Sequence, residues 1–369
     1  MTRTGLIVRP ATNDDYPAIA GVLDRTLGEK PYEKRLDLWR WRYDNNPART
    51  DAFPSFLVVE EGGRIVGVHG LIPLSIKAGN RQLNVSCSCD LAVDPAARSA
   101  GMKLKLAALS KGLSPLHIST SANEPANKIT LALGGREVPS GRRKWIKPLK
   151  ASGLMRRGLT NKRNAGGITT MAGLTIGKPV DWIMAIGRTA TPQRRVAGGQ
   201  IRDVTCFDAR FDGFWEQLAK EKAIVVVRDS CYLNWRYAAY PFAGVQSFEL
   251  SRGEKLLGFA VIHLAIDEDQ LRFAAILEIA GQQHERGVLG HLLGEAIRRA
   301  ASAGAHYVIA RAPTPDCEES IRKSGFKARE MDYSPVTYKN NSEVPDELFA
   351  KDMNWYLTLG DGDGCFYIG

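Results

Sequence analysis

Trp41-Arg42-Tyr43-Asp44-Asn45-Asn46-Pro47 returns 194 residues later as Trp235-Arg236-Tyr237-Ala238-Ala239-Tyr240-Pro241. A repeat on that scale is the mark of a duplicated domain, so the segments next to each copy decide the architecture. Downstream of each lies an apolar extended segment, a glycine-bounded turn and a second apolar segment, FLVVEEGGRIVGVHGLI in one and FELSRGEKLLGFAVI in the other. Both have the pattern of a β-hairpin. Next come a long strand (84–93; 271–280), a loop with glycine, and a helix. The helical spacing is carried by Met102, Leu106, Leu109 and Leu113 in the first copy, and by Leu289, Leu292, Leu293, Ala296 and Ile297 in the second. A short strand (116–120; 306–310) and a proline-initiated helix ending near Gly134-Gly135 or Gly325 complete each copy. Each half also opens on an acid-capped helix, Asp14 to Leu27 and Asp208 to Glu221, the first with the capping pattern Thr12-x-x-Asp15.

The order predicts an α/β fold of α+β mixed-sheet type in two tandem copies, with a first domain at 1–150, a linker at 151–200 and a second domain at 201–369. The linker contains SGLMRRGLTNKRNAGG, which has turn chemistry and little periodicity. A short helix is expected near Val180 to Ile186. A chain of 369 residues is long for one hydrophobic core and comfortable for two. With 44% hydrophobic and 24% charged residues it has the balance of a folded globular protein. Nothing approaches a membrane span, and Arg9-Pro10 interrupts any signal-like core. The six cysteines are too scattered for a disulfide framework, so a cytoplasmic location is expected. Cys87-Ser88-Cys89 lacks metal-ligand spacing and is read as two buried small residues on one strand face; no metal site is expected. The net charge of +10 suits a polyanionic partner, whether cofactor phosphates, nucleic acid or an anionic surface.

The stretch CDLAVDPAARSAGMKLKLAAL, Cys89 to Leu109, resembles the core of the GNAT acyl-CoA N-acyltransferase superfamily, in which a strand runs into an Arg/Gln-x-x-Gly-x-Gly/Ala loop at a helix N-terminus. The chain departs from that pattern by placing Lys103 where a small residue is usual. Orphan amides and the positive end of the helix dipole make such a loop a diphosphate site. The resemblance therefore implies acetyl-CoA or another acyl-CoA as co-substrate, held by Leu91, Ala92, Val93, Arg98, Ser99, Ala100, Gly101, Met102, Lys103 and Asn127. The second copy has no such loop, which implies that it supports the fold. The closing segment Trp355 to Asp361 resembles the family's final strand.

Amine acylation needs an acceptor for the ammonium proton, donors for the developing oxyanion and a proton for the thiolate. The resemblance assigns these to Asp90 on the central strand, with Asn123 and Ser121 near the thiol. Each has a plainer reading: Asp90 bonded to backbone amides at a kink, and Asn123 as the cap of the helix begun by Pro125. His69 is an alternative base or a buried structural histidine. Trp39, Trp41 and Tyr43 are read as core anchors, since the second copy repeats them. Asp361 and Asp363 either attract a cation or form a turn. The tyrosine that commonly serves as thiolate acid is missing between Cys89 and Leu149, and Tyr333 and Tyr338 would have to come from the other half. The expected function is acyl transfer to an amine of a small molecule or sugar. The rivals are an acyl transferase using charged tRNA, which the basic surface would suit, and a non-catalytic acyl-CoA-binding protein.

Overall fold

The computed structural model describes residues 5–51, 54–110, 112–150, 196–282, 285–330 and 336–363. The helix expected near Val180, most of the linker, Tyr333 and Cys365 lie outside these residues. By packing, the described residues fall into two units. The first draws on Met1–Arg142, Ala219–Pro241 and Met331–Tyr356, the second on Arg143–Leu218, Phe242–Glu330 and Leu357–Gly369.

The first unit is built on β1 (Ile7–Pro10), β2 (Phe56–Glu61), β3 (Arg64–Ala78), β4 (Arg81–Val93), β5 (Leu116–Ser119) and β6 (Arg136–Glu137). The second half of the chain supplies it with β9 (Ile224–Val226), β15 (Thr337–Asn340) and β16 (Trp355–Tyr356). The strands run β1-β2-β3-β4-β5-β15-β6, with β9 on β3 and β16 on β9. Helices α1 (Tyr16–Leu27), α2 (Tyr32–Trp39), α3 (Ala100–Ala108) and α4 (Glu124–Ala132) flank this sheet. The capping box at Thr12 and Asp15 forms, one turn ahead of α1.

The second unit's sheet runs β14 (Lys327–Glu330), β7 (Arg143–Pro148), β13 (Tyr307–Ala310), β12 (Arg272–Gly281), β11 (Lys255–Ile266), β10 (Val245–Arg252) and β8 (Gln200–Asp203). It is covered by α5 (Ala209–Glu221), α7 (Val288–Ser302) and α8 (Pro315–Lys323), while the short α6 (Ser230–Leu233) and α9 (Asp346–Ala350) belong to the first unit. The halves have thus exchanged strands. β7, from the first half, lies between β13 and β14, and β15, from the second half, lies between β5 and β6.

Both Trp-Arg-Tyr motifs lie in the first unit, each in a π-helical turn, Arg40–Asp44 and Asn234–Ala238. Trp41 Nε1 donates to the Trp235 carbonyl at 2.7 Å and Trp235 Nε1 returns the bond to Trp41 at 2.6 Å, with the indoles stacked 5.3 Å apart. The Arg236 guanidinium lies over both rings. Trp39 packs edge-on against Tyr16 and Phe56, so the core reading of these aromatics holds.

In α7, Leu292, Leu293, Ala296 and Ile297 are buried as the spacing predicts. α3 is differently phased. Met102 and Leu106 are exposed, and the buried face is Ala100, Gly101, Leu104, Lys105 and Ala108. Small residues let the helix sit close on β2 and β3, and Leu104 fills the gap against Leu57, Val59, Val66 and Leu71. The closing segment also differs from expectation. Only Trp355–Tyr356 is strand, and the chain then turns into the second unit.

Candidate active site

β4 and β5 are parallel and paired only at Ser86–His117 and Cys87–Ile118. Beyond that point β4 runs on to Val93 beside β3 alone, so the two strands part. Opposite His69 of β3, β4 carries two residues instead of one, because the register slips between the pairs Val68–Ala92 and Gly70–Cys89. Such a bulge turns backbone groups out of the ladder. Here it holds Asp90 at φ 46, a left-handed conformation that aspartate tolerates better than most side chains.

The bulge has two chemically distinct faces. On one, Arg42 Nη1 donates to Asp90 Oδ2 at 2.6 Å, both side chains buried. Tyr43 Oη lies 3.2 Å from Cys89 Sγ, and burial pushes the phenol's pKa well above its ordinary value. Gly70 makes room for this pair, since a Cβ there would lie 2.5 Å from the sulfur and 2.7 Å from the phenol oxygen. Asp90 thus has a guanidinium for a partner, where the plainer reading gave it backbone amides. It belongs to a buried ion pair that ties the bulge to the first Trp-Arg-Tyr turn.

On the other face, under α3, the fully buried Lys105 donates to Ser88 Oγ at 3.0 Å, and the same hydroxyl lies 2.6 Å from His69 Nε2. His117 Nδ1 lies 2.8 Å from Ser86 Oγ, and the two imidazoles meet edge to face at 5.8 Å. Burial first, then the charge of Lys105, lowers the pKa of both rings well below the usual histidine value, with each ring held neutral. His69 was legible as a buried histidine. Lys105, Ser88, His117 and Arg42 were not singled out from sequence. The Ala97, Ala100, Leu104, Ala108 stripe was the signal that Lys105 points inward.

The loop residues sit as the strand–loop–helix pattern requires. Leu91, Ala92 and Val93 end β4, and Asp94, held by Arg25 at 3.0 Å, leads into a 3-10 turn at Pro95–Ala97. Arg98 and Ser99 are exposed immediately before α3, as are Met102 and Lys103 in its first turn, with Ala100 and Gly101 against the sheet. Ser99 does not cap the helix through its side chain, and the Gly101 amide bonds to the Arg98 carbonyl at 3.3 Å. Lys103 Nζ lies 3.3 Å from the Leu6 carbonyl. Across the opening, Ser121 is exposed just beyond β5, Asn123 caps α4 by accepting from the Ala126 amide at 3.1 Å, and Asn127 is buried one turn later. The strand exchange delivers Tyr338 to this unit, opposite Ile118 on β15.

In the second unit the corresponding strands, β12 and β13, pair at Phe273–Tyr307, Ala274–Val308 and Ala275–Ile309 and then part, with a register slip beside Leu277. There the chain fills the gap with its own backbone. Gly360 donates to the Leu277 carbonyl at 2.8 Å and Thr358 Oγ1 to the buried Glu278 at 3.0 Å. Asp361 is buried and accepts from the Thr358 amide at 2.8 Å, and Asp363 is buried beside it, so both belong to a turn. Among the described residues no cluster of three or more His, Cys, Asp or Glu side chains could hold a metal ion, and no helix is long and apolar enough to cross a membrane.

Residues 7–112 match the model of the acetyltransferase (GNAT) domain. Comparison with curated proteins returns no match. Among solved structures the chain is similar to a probable N-acyltransferase from Enterococcus faecalis, at 12% identity and a TM-score of 0.58 over 92% of this chain and 74% of that one. It is also similar to a GCN5-related N-acetyltransferase from Kribbella flavida, at 14% identity and 0.52 over 90% and 70%. Saccharomyces cerevisiae N-myristoyltransferase, solved with bound myristoyl-CoA, matches at 11% identity and 0.55 over 90% and 79%. At these identities the likeness shows the fold, and two mixed sheets in a chain of this length agree with a tandem GNAT arrangement.

Proposed function

From the premise of a GNAT fold, we propose that the chain transfers an acyl group from acyl-CoA to an amine of a small molecule or sugar, by direct attack, in the first unit. The observation that carries this is the parting of β4 from β5 at a bulge, beside a helix N-terminus that presents Arg98. The exposed side chains of Arg98, Ser99 and Lys103, the backbone of the Arg98 to Lys103 segment and the dipole of α3 hold the diphosphate. Leu91, Ala92 and Val93 offer backbone to the pantetheine arm, and Asn127 lies against it from α4. Amides turned out of the ladder at Asp90 and Leu91 polarise the thioester carbonyl.

The acceptor reaches the carbonyl from the Arg42 face. Its nitrogen attacks the carbonyl carbon, the carbon–sulfur bond breaks, CoA leaves as thiolate, and the proton the amine gives up passes to Asp90. Asp90, steadied by Arg42, faces the amine, while Ser121 and Asn123 lie at the mouth where the thiol departs. The second unit takes no acyl-CoA in this reading, because its own chain occupies the equivalent gap.

Isothermal titration with acetyl-CoA tests the reading. Micromolar binding is expected, lost at least about tenfold in an Arg98→Ala/Gly101→Asp double variant, since each charge-assisted phosphate contact is worth about 1.5 kcal/mol or more. Tight tRNA binding with a steep salt dependence and no binding of CoA would replace it with the charged-tRNA reading.

A further inference from the structure

The end of β4 has cations on the side away from α3. Val93 packs into the cluster under α3, so Asp94, next along the chain, points to the other side, where Arg25 at the end of α1 meets it at 3.0 Å and Arg64 at 3.7 Å. Asp90 is held on that side by Arg42. The turn between α1 and α2, residues 28–31, is fixed beside them. Asp24 Oδ1 accepts from the Lys30 amide at 3.2 Å and from Arg35 Nε at 3.1 Å, and Arg35 Nη2 donates to the Gly28 carbonyl at 3.0 Å. Each of these carboxylates is therefore already held by an arginine: Asp24 by Arg35, Asp90 by Arg42 and Asp94 by Arg25. Lys30 is left over. It is exposed, and no carboxylate among the described residues pairs with its ammonium, although Glu29 and Glu33 lie on the same stretch of chain. The charges that act on that ammonium are those of Arg35, Asp90 and Arg42, which puts it near the bulge. Partial burial first, then Arg35, lowers its pKa, with Asp90 opposing and Arg42 adding. Three cations, Lys30, Arg35 and Arg42, thus stand against two carboxylates, Asp24 and Asp90.

We propose that the amine accepted by this unit carries an anionic group of its own, a carboxylate or a phosphate, and that Lys30 binds that group while the nitrogen sits at Asp90. The inference rests on the acyl-CoA reading above and on entry of the acceptor from the Arg42 face. An acid on the acceptor supplies the counter-charge that Lys30 lacks, and partial desolvation makes the contact stronger than one on open surface. Because Lys30 is exposed, an anion reaches it without displacing core side chains. The acceptor nitrogen must be neutral to attack, and a site with more cations than carboxylates favours that form. Polyamines are disfavoured for the same reason, since their remaining ammonium groups would face Lys30 and Arg35.

The test follows CoA release from acetyl-CoA by the intact protein with amines in matched pairs: glycine against glycinamide, phosphoethanolamine against ethanolamine, and phosphorylated glucosamine against glucosamine. Acetyl-CoA binding is measured alongside by isothermal titration. In at least one pair the anionic member is expected to exceed its neutral partner about 10- to 100-fold in kcat/KM, the range of a charge-assisted hydrogen bond, and that pair identifies carboxylate or phosphate. Glycinamide is the more readily deprotonated amine, so a preference for glycine cannot come from the nitrogen. Lys30→Met should cut the ratio to about threefold or less and Lys30→Arg should keep most of it, and a ratio taken within one variant cancels any general loss of activity. Neutral members reacting as well as anionic ones, or no member reacting while acetyl-CoA binds, would overturn the inference and leave the acyl-CoA reading standing. A ratio that survives Lys30→Met would overturn the assignment to Lys30. Failure of acetyl-CoA to bind would remove the acyl-CoA reading itself, and this inference with it.

Discussion

Replacing Arg42 by methionine should unfold the first unit far more readily than an ordinary surface change, because Asp90 would be left charged and buried. The pair is 2.6 Å long, with side-chain exposures of 1% and 7%. Breaking such a pair by removing one partner costs about 3–5 kcal/mol. Asp90→Gly should cost a similar amount, and Asp90→Ala about 1 kcal/mol more, because alanine must adopt the left-handed conformation at φ 46 that glycine takes freely. The double variant Arg42→Met/Asp90→Gly should fall short of the sum by about 2 kcal/mol or more, since the second substitution removes the charge that the first left stranded. Urea denaturation followed by tryptophan fluorescence gives the values, with Trp41 and Trp235 reporting from the same unit. At about 2–4 °C per kcal/mol, the single variants should melt roughly 10 °C lower. Single costs below 1 kcal/mol, or costs that add to within 0.5 kcal/mol, would refute the claim that this ion pair anchors the bulge.

Two more outcomes are expected from the same region. Gly70→Ala should cost about 1–3 kcal/mol, because its Cβ would meet Cys89 Sγ at 2.5 Å and Tyr43 Oη at 2.7 Å, and Tyr43→Phe in the same chain should recover part of it; a neutral Gly70→Ala would show that the strands have slack there. His69 and His117 have folded pKa values below 6.5, so the unfolded chain binds more protons as pH falls through that value, and stability should decline below about pH 6.5 by up to roughly 1.4 kcal/mol per pH unit for each ring. Denaturation series at pH 7.5 and 5.5 check this. His117→Leu should reduce the slope, and equal stability at the two pH values in the wild type would contradict neutral buried rings.

The hairpins, the central strands and the glycine loop were legible because they depend on local patterns: alternation, turn residues and a helix start within about 30 residues. α7 was legible for the same reason, its leucines marking a single face. α3 was misread because Met102 and Leu106 offered a plausible stripe, while the true buried face uses alanines and a lysine, a residue almost never placed inside without a partner. Lys105 becomes intelligible only once Ser88, His69 and His117 are seen around it, and those three come from three strands. Asp90 was found through its place on the central strand, but its partner Arg42, 48 residues away, was hidden in a motif whose aromatics drew attention instead. The capping of α4 by Asn123 was foreseen, since Asn followed by Glu-Pro is a local signal. The exchange of β7 and β15 was out of reach, because pattern names a strand without naming its neighbours.

That exchange bears on how such a chain could arise and be taken apart. A gene product stopping within the linker would hold β7 with no sheet to enter and would lack the β15 that closes its own β5 edge. The remainder would have the opposite deficiency. Two separately synthesised pieces should therefore be poorly behaved alone and should rescue each other on mixing, as complementing fragments do. The same reciprocity is what joining two copies of a strand-trading homodimer end to end would leave behind.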